Sequence, residues 1–162
     1  MADIKTAYAA SASLTITLAS LADSATVGRE STVVSNATDL YLDVMVAAKF
    51  KTQNSGTISA PSCIYVWAYS SIDAGSNYTD TATGADAACT INSPNQLRLL
   101  GVVNVAAINT TYKGGGWSVA QAFGGKVPQR WGVVVVNDCG TALSAVEGDH
   151  DVWMQGITAT VA

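Results

Sequence analysis

The chain has 162 residues, 49% of them hydrophobic and only 12% charged, with a formal net charge of −4. That length suits one domain with a sizeable core, and the composition excludes intrinsic disorder, which couples low hydrophobicity to high charge. The eight Lys and Arg are scattered from Lys5 to Arg130, which speaks against nucleic acid as a partner, because neutralising phosphates needs cations gathered on one face.

The chain opens "MADIKTAYAAS", which has no apolar core of a signal peptide; residues 1–12 are expected to form a flexible N-terminal arm. No apolar run approaches the length of a membrane span, so no membrane partner is expected. From there the pattern is one of strands. "SLTITL" alternates Leu14, Ile16 and Leu18 with Thr15 and Thr17. "DLYLDVMVAAKFKT" alternates Leu40, Leu42, Val44, Val46, Ala48 and Phe50 with Tyr41, Asp43, Met45, Ala47, Lys49 and Lys51. A period of two over a dozen residues is the mark of a half-buried strand.

Two segments are apolar on both faces. "CIYVWAYS" sets Ile64, Val66 and Ala68 against Cys63, Tyr65, Trp67 and Tyr69, and "RWGVVVVND" sets Trp131, Val133 and Val135 against Val134 and Val136. Such an antiparallel strand is either covered on its second face or part of an interface. The last segment, "VWMQGITATV", places Trp153, Ile157, Ala159 and Val161 on one face, with Val152, Met154, Thr158 and Thr160 on the other. Turn-forming clusters such as "QNSGT", "NSPNQ", "YKGGGW" and "NDCGT" divide the chain into eight expected strands, near 12–18, 31–35, 39–52, 62–71, 97–105, 116–122, 130–137 and 151–161. Short helical turns fit only "ADAACT" and "VAQAF". The expectation is therefore a single all-β domain over 1–162, an antiparallel β-sandwich of eight-stranded jelly-roll type.

Chemistry is sparse. His150 is the only histidine, so histidine triads and multi-histidine metal sites lack their parts. Its setting, "EGDHD", reads as a polar turn. The loop "DAGSNYTDTATGAD" holds Asp73, Asp80 and Asp86 without the spacing of a calcium loop. Cys63, Cys89 and Cys139 lack ligand spacing and cannot all pair, which suggests free thiols. No catalytic residue, metal or cofactor is expected. One local oddity stands out: Arg29 directly beside Glu30 in "LADSATVGRES", in a chain so sparing with charge.

"ITLASLADSATVGRESTVVSN", the alternating "DLYLDVMVAAKFKT", "NQLRLLGVVNV", "GGGWSVAQAFGGKVPQRWGVVVVNDCGTAL" and "VWMQGITATV" together resemble small structural proteins of tailed-bacteriophage virions, in particular the β-sandwich head cement or decoration proteins. The resemblance implies a non-enzymatic subunit made in the host cytoplasm and carried on the capsid surface, a homotrimer whose partner is the major capsid protein of the same phage. It implies subunit or capsid contacts for Tyr65, Trp67, Tyr69 and Trp117. Arg29 and Glu30 would either close a loop-to-strand corner or pair across subunits. The alternative is a tail- or vertex-associated, lectin-like receptor-binding module, with a tryptophan, Trp117 foremost, as the sugar platform.

Overall fold

Alternation places the core. In the computed structural model, which describes residues 3–93 and 95–161, Val44, Val46, Ala48 and Phe50 of one long strand are fully buried, while the residues between them stay half-exposed. The strands are β1 (Ile4–Tyr8), β2 (Ala12–Ser13), β3 (Val27–Glu30), β4 (Val34–Ser35), β5 (Asp43–Lys51), β6 (Cys63–Ser71), β7 (Ala87–Thr90), β8 (Arg98–Asn104), β9 (Thr111–Ser118), β10 (Arg130–Asp138) and β11 (Asp151–Val161). One turn of helix, α1 (Val119–Ala122), follows β9, its start capped by the Ser118 side chain accepting from Gln121 N–H.

All strand pairs are antiparallel, and they form two curled sheets. One runs β1-β11-β5-β9, with β2 also on β11. The other runs β7-β3-β10-β6-β8, with β4 also on β10. Between them lies one apolar core, built from Val44, Val46, Ala48 and Phe50 of β5, Ile64 and Val66 of β6, Trp131, Val133 and Val135 of β10, and Val152 of β11. At one long seam Trp117 of β9 lies against β8. A Cβ at Gly101 would sit 2.0 Å from its Cε2 atom, so only glycine admits the ring.

The opposite seam is closed by residues 14–18. Leu14, Ile16 and Leu18 are buried and the threonines between them exposed, as the alternation predicts, yet the segment past β2 is not a ladder strand. It is a strap. Leu14 N–H donates to Val152 O on β11 at 2.7 Å, and Thr15 O accepts from Thr32 N–H, beside β3, at 2.8 Å.

Several boundaries differ from the expected ones. There are eleven strands among the described residues, not eight. The segment read as an arm carries β1, paired residue for residue with the end of β11; Met1 and Ala2 lie outside the described residues. The expected strand 31–35 is the end of an interrupted strand, β3 and β4, both on β10. Ser31 bridges that gap: its hydroxyl accepts from Val133 N–H at 3.1 Å, and its own N–H donates to Val133 O. The expected strand 116–122 divides into the end of β9 and α1. "ADAACT" carries β7 rather than a helical turn. Leu40 and Leu42 are exposed, because β5 begins only at Asp43.

Candidate docking surface

The strands that are apolar on both faces, β6 and β10, sit side by side in the centre of their sheet, and their second face is half covered. The chain between β6 and β8, residues 72–97, folds back over it. Tyr69, Val134, Val136, Cys89 and Leu97 form a second buried cluster, with Tyr65, Trp67, Tyr78, Ala82 and Ile91 packed against it. Tyr69 crosses Gly132, its direct partner on β10, where a Cβ would lie 2.4 Å from the ring. Its hydroxyl donates to Ser31 O at 2.7 Å, and Tyr78 meets it edge-on with ring centroids 5.5 Å apart. Burial pushes the Tyr69 hydroxyl well above the ordinary tyrosine range.

Arg29 and Glu30 hold this cover down. As neighbours on a strand they point to opposite sides, and they do not pair with each other. Glu30 is fully buried. Its carboxylate accepts from Thr83 N–H, from Thr83 Oγ1 at 2.7 Å and from Gly84 N–H at 3.2 Å. Arg29 donates through Nε to Asp86 Oδ1 at 2.6 Å and through its second guanidinium nitrogen, Nη2, to Asp86 O. Asp86 also accepts from Thr17 N–H and Thr17 Oγ1, which ties the strap to the same loop. Partial burial acts to raise the Asp86 carboxyl, but the bonds from Arg29 and Thr17 outweigh it and hold the group below the usual carboxylate range. Within the chain the dipeptide pins the distant segment of residues 83–86 to its strand.

Beyond the cover the same face is open. Tyr65 and Trp67 lie half-buried with ring centroids 6.1 Å apart. Their cross-strand partners on β8 are Val102 and Leu99, both exposed, Leu99 at 46%. Asn104 and Asp138, the partners of Cys63 on either side, border the patch. Burial and then the neighbouring Asp23 carboxylate push the Asp138 carboxyl above its ordinary range. An apolar, aromatic centre with a polar border is the anatomy of a protein-binding surface.

Of the six residues singled out in the sequence, five thus lie on the cover or beneath it and on the patch beside it. Tyr65 and Trp67 present an open surface, whereas Tyr69 and Glu30 are fully buried within the chain and offer nothing to a second one. Arg29 is committed to Asp86. Trp117 is half-buried against Gly101 at the β8–β9 seam. Leu99 and Val102 were not singled out. The register shift between Val66 and Trp67 is what brings Leu99 beside Trp67, and sequence alternation does not reveal it.

The remaining polar clusters are structural. Asp73 accepts from Ser71 Oγ, Asn77 N–H and Asn77 Nδ2, closing its own loop; those bonds lower its carboxyl far below the usual range. Asp80 accepts from Asn92 and Gln96 N–H. In "EGDHD", Glu147 accepts from Leu18 and Ala19 N–H, Asp149 binds Ser144 Oγ and Lys51, and His150 Nε2 lies 3.0 Å from Ser144 O. Among the described residues no group of three or more His, Cys, Asp or Glu is placed to hold a metal ion, and no helix is long and apolar enough to cross a membrane. The three cysteines are free thiols, Cys89 and Cys139 buried and Cys63 partly so.

Comparison with protein-family models, with curated proteins and with solved structures finds no match to this chain.

Proposed function

We propose that the protein is a non-enzymatic structural subunit of a tailed-bacteriophage particle, a cement or decoration protein that docks on the mature head lattice of its major capsid protein. The observation that carries this reading is the patch of Tyr65, Trp67, Leu99 and Val102, an aromatic and aliphatic surface shared by β6 and β8. The sequence resemblance to phage head proteins supplies the partner. Low charge supports it too, since charged groups are depleted from the centres of interfaces. The two curled sheets are read as a jelly-roll-type sandwich with added edge strands, and the working unit as a homotrimer on the capsid surface. Its mechanism is mass action: a subunit that binds only the assembled lattice stabilises that lattice by its binding free energy.

The test is the copy number of this chain in purified virions relative to the major capsid protein. A ratio near that of the capsid subunit supports cementing. A ratio far below it assigns the chain to a tail or vertex, and absence from the particle overturns both readings.

One observation favours the alternative, a lectin-like receptor-binding module. Trp153 lines a shallow surface groove with Ser11, Ser13 and Asp151, an aromatic face beside hydroxyls and a carboxylate. Trp131, by contrast, is fully buried and unfit as a sugar platform. Quenching of tryptophan fluorescence by host polysaccharide, lost in Trp153→Ala, separates this reading from the first.

A further inference from the structure

Residues that pair across a ladder stand side by side on one face, so the register of four strands lays out the outer face of the β5–β11 sheet in rows. One row is Ser13, Trp153, Ala47 and Gly115, on β2, β11, β5 and β9 in turn. Trp153 is its only large side chain. A Cβ at Gly115 would lie 2.3 Å from that of Ala47, so the far end of the row admits only glycine. The rows on either side carry longer side chains, Asp151, Lys49 and Lys113 on one and Gln155 and Met45 on the other. The result is a trough running across the strands, about 14 Å long at the usual strand spacing. At its β2 end lies the shallow groove that Trp153 forms with Ser11, Ser13 and Asp151.

One wall of the trough has more positive charge than its neighbours answer. Lys49 and Lys113 are direct partners, and like charges set opposite each other cost a sheet stability. The single carboxylate of that row, Asp151, accepts from Ser13 Oγ at 3.3 Å, while Lys49 Nζ donates to a backbone oxygen, Gly148 O, at 3.0 Å. Lys113 is exposed, and neither it nor Lys49 enters an ion pair among the described residues. The other charges nearby are spoken for. Lys51 is paired with Asp149, and Asp43, beyond Met45, accepts from Ser118 Oγ and Ala120 N–H.

We propose that this trough binds a segment of an acidic polysaccharide, one whose sugar rings carry carboxylates. The C–H-lined face of a sugar ring is apolar and packs on the indole of Trp153, and the Ala47–Gly115 floor leaves room for the next ring. A carboxylate on that ring lies within reach of Lys113, two residues from Gly115 along β9, and supplies the anion that the lysine pair lacks. Ser11 and Ser13 offer hydroxyl partners at the other end. Nucleic acid suits the trough poorly, because two cations beside a carboxylate neutralise too little of a backbone charged at every nucleotide. A protein partner would bury two lysines, which interface centres avoid. The inference rests on the second, saccharide-binding reading above and names its ligand class.

The experiment is calorimetric titration of the full chain with oligosaccharides of polygalacturonate, alginate and hyaluronate, with circular dichroism to confirm that each variant is folded. Methyl-esterified polygalacturonate, the same backbone without its charge, and dextran are the neutral controls. The wild type is expected to bind at least one acidic polymer and to favour polygalacturonate over its ester. Lys113→Gln, at an exposed position, should weaken acidic binding about fivefold and flatten its salt dependence. Trp153→Ala should weaken it about tenfold or more. Lys126→Gln, an exposed lysine in the loop before β10, should change nothing. Acidic binding that is untouched by Lys113→Gln, or lowered as much by Lys126→Gln, overturns the inference. Binding to the neutral polymers alone also overturns it but leaves the saccharide-binding reading standing, whereas binding to none of the polymers overturns both.

Discussion

The outer faces of the two sheets solve the same problem in different ways. The β6–β10 face carries apolar residues that the chain itself covers, using some twenty-five residues of loop fixed by two side chains of one dipeptide. The outer face of the β5–β11 sheet has no such cover: Met45, Ala47, Trp153 and Ile157 are only half-buried by their neighbours, and the stripe runs out onto β1 with nothing over it. The difference teaches that apolar residues on a strand's second face do not by themselves announce an interface. What matters is whether another segment carries the groups to pin itself there, as Thr83, Gly84 and Asp86 do.

The covered face is the one to break first. Tyr69→Ala removes the ring at the centre of the second cluster and leaves Ser31 O without its donor. It should cost about 3–5 kcal/mol and lower the thermal midpoint by roughly 10 °C, measured by calorimetry. Glu30→Ala is next, at about 3 kcal/mol, because the amides of Thr83 and Gly84 and the Thr83 hydroxyl lose a charged acceptor in a buried place. It should also speed proteolysis within residues 72–97, since the cover then opens locally more often. Arg29→Ala should cost about 1 kcal/mol at neutral pH, discounted for the partial exposure of the pair.

The same pair gives a pH dependence of known sign. The Asp86 carboxyl is held below its unfolded range, so its bonds add stability above that range and lose it as pH falls through the folded value. In Arg29→Ala the acid side of the stability profile should be shallower, as read from urea midpoints across the carboxylate range. On the open patch, Trp67→Ser should cost about half as much stability as Tyr69→Ala, since the ring is only half-buried against the second cluster, while reducing binding to purified heads about thirtyfold or more. Stability lost on the scale of Tyr69→Ala would mean that Trp67 is core rather than surface.

Much of the sandwich was legible in the sequence. β6, β10 and β11 are long enough for period-two alternation to mark them within a residue, and β5 is marked at its end but starts four residues later than expected; Leu14, Ile16 and Leu18 were placed inside correctly although they belong to a strap. The shorter strands left no such mark. β3 and β7 have four residues each, and β3 contains Gly28, whose missing side chain lets the strand lie against Val134, Val135 and Val136. The glycines of "YKGGGW" look like a turn but lie within β9, Gly114 beside the indole of Trp117 and Gly115 against Ala47. The site was legible by half. Tyr65 and Trp67 were visible as aromatics on a second face, but the partners of Glu30 and Arg29 lie more than fifty residues downstream in a loop without periodicity. Only the tertiary fold brings them together.

The strap of residues 14–18 has a mechanical meaning. It is bonded to Val152 on one sheet, to Thr32 beside the other, to Asp86 in the covering loop and, through Leu18, to Glu147 in the turn before β11. Tension entering along β1 and β2 therefore reaches four separate parts of the molecule within five residues. The load is shared in parallel rather than passed bond by bond down one ladder, so the sandwich resists being unzipped from that side.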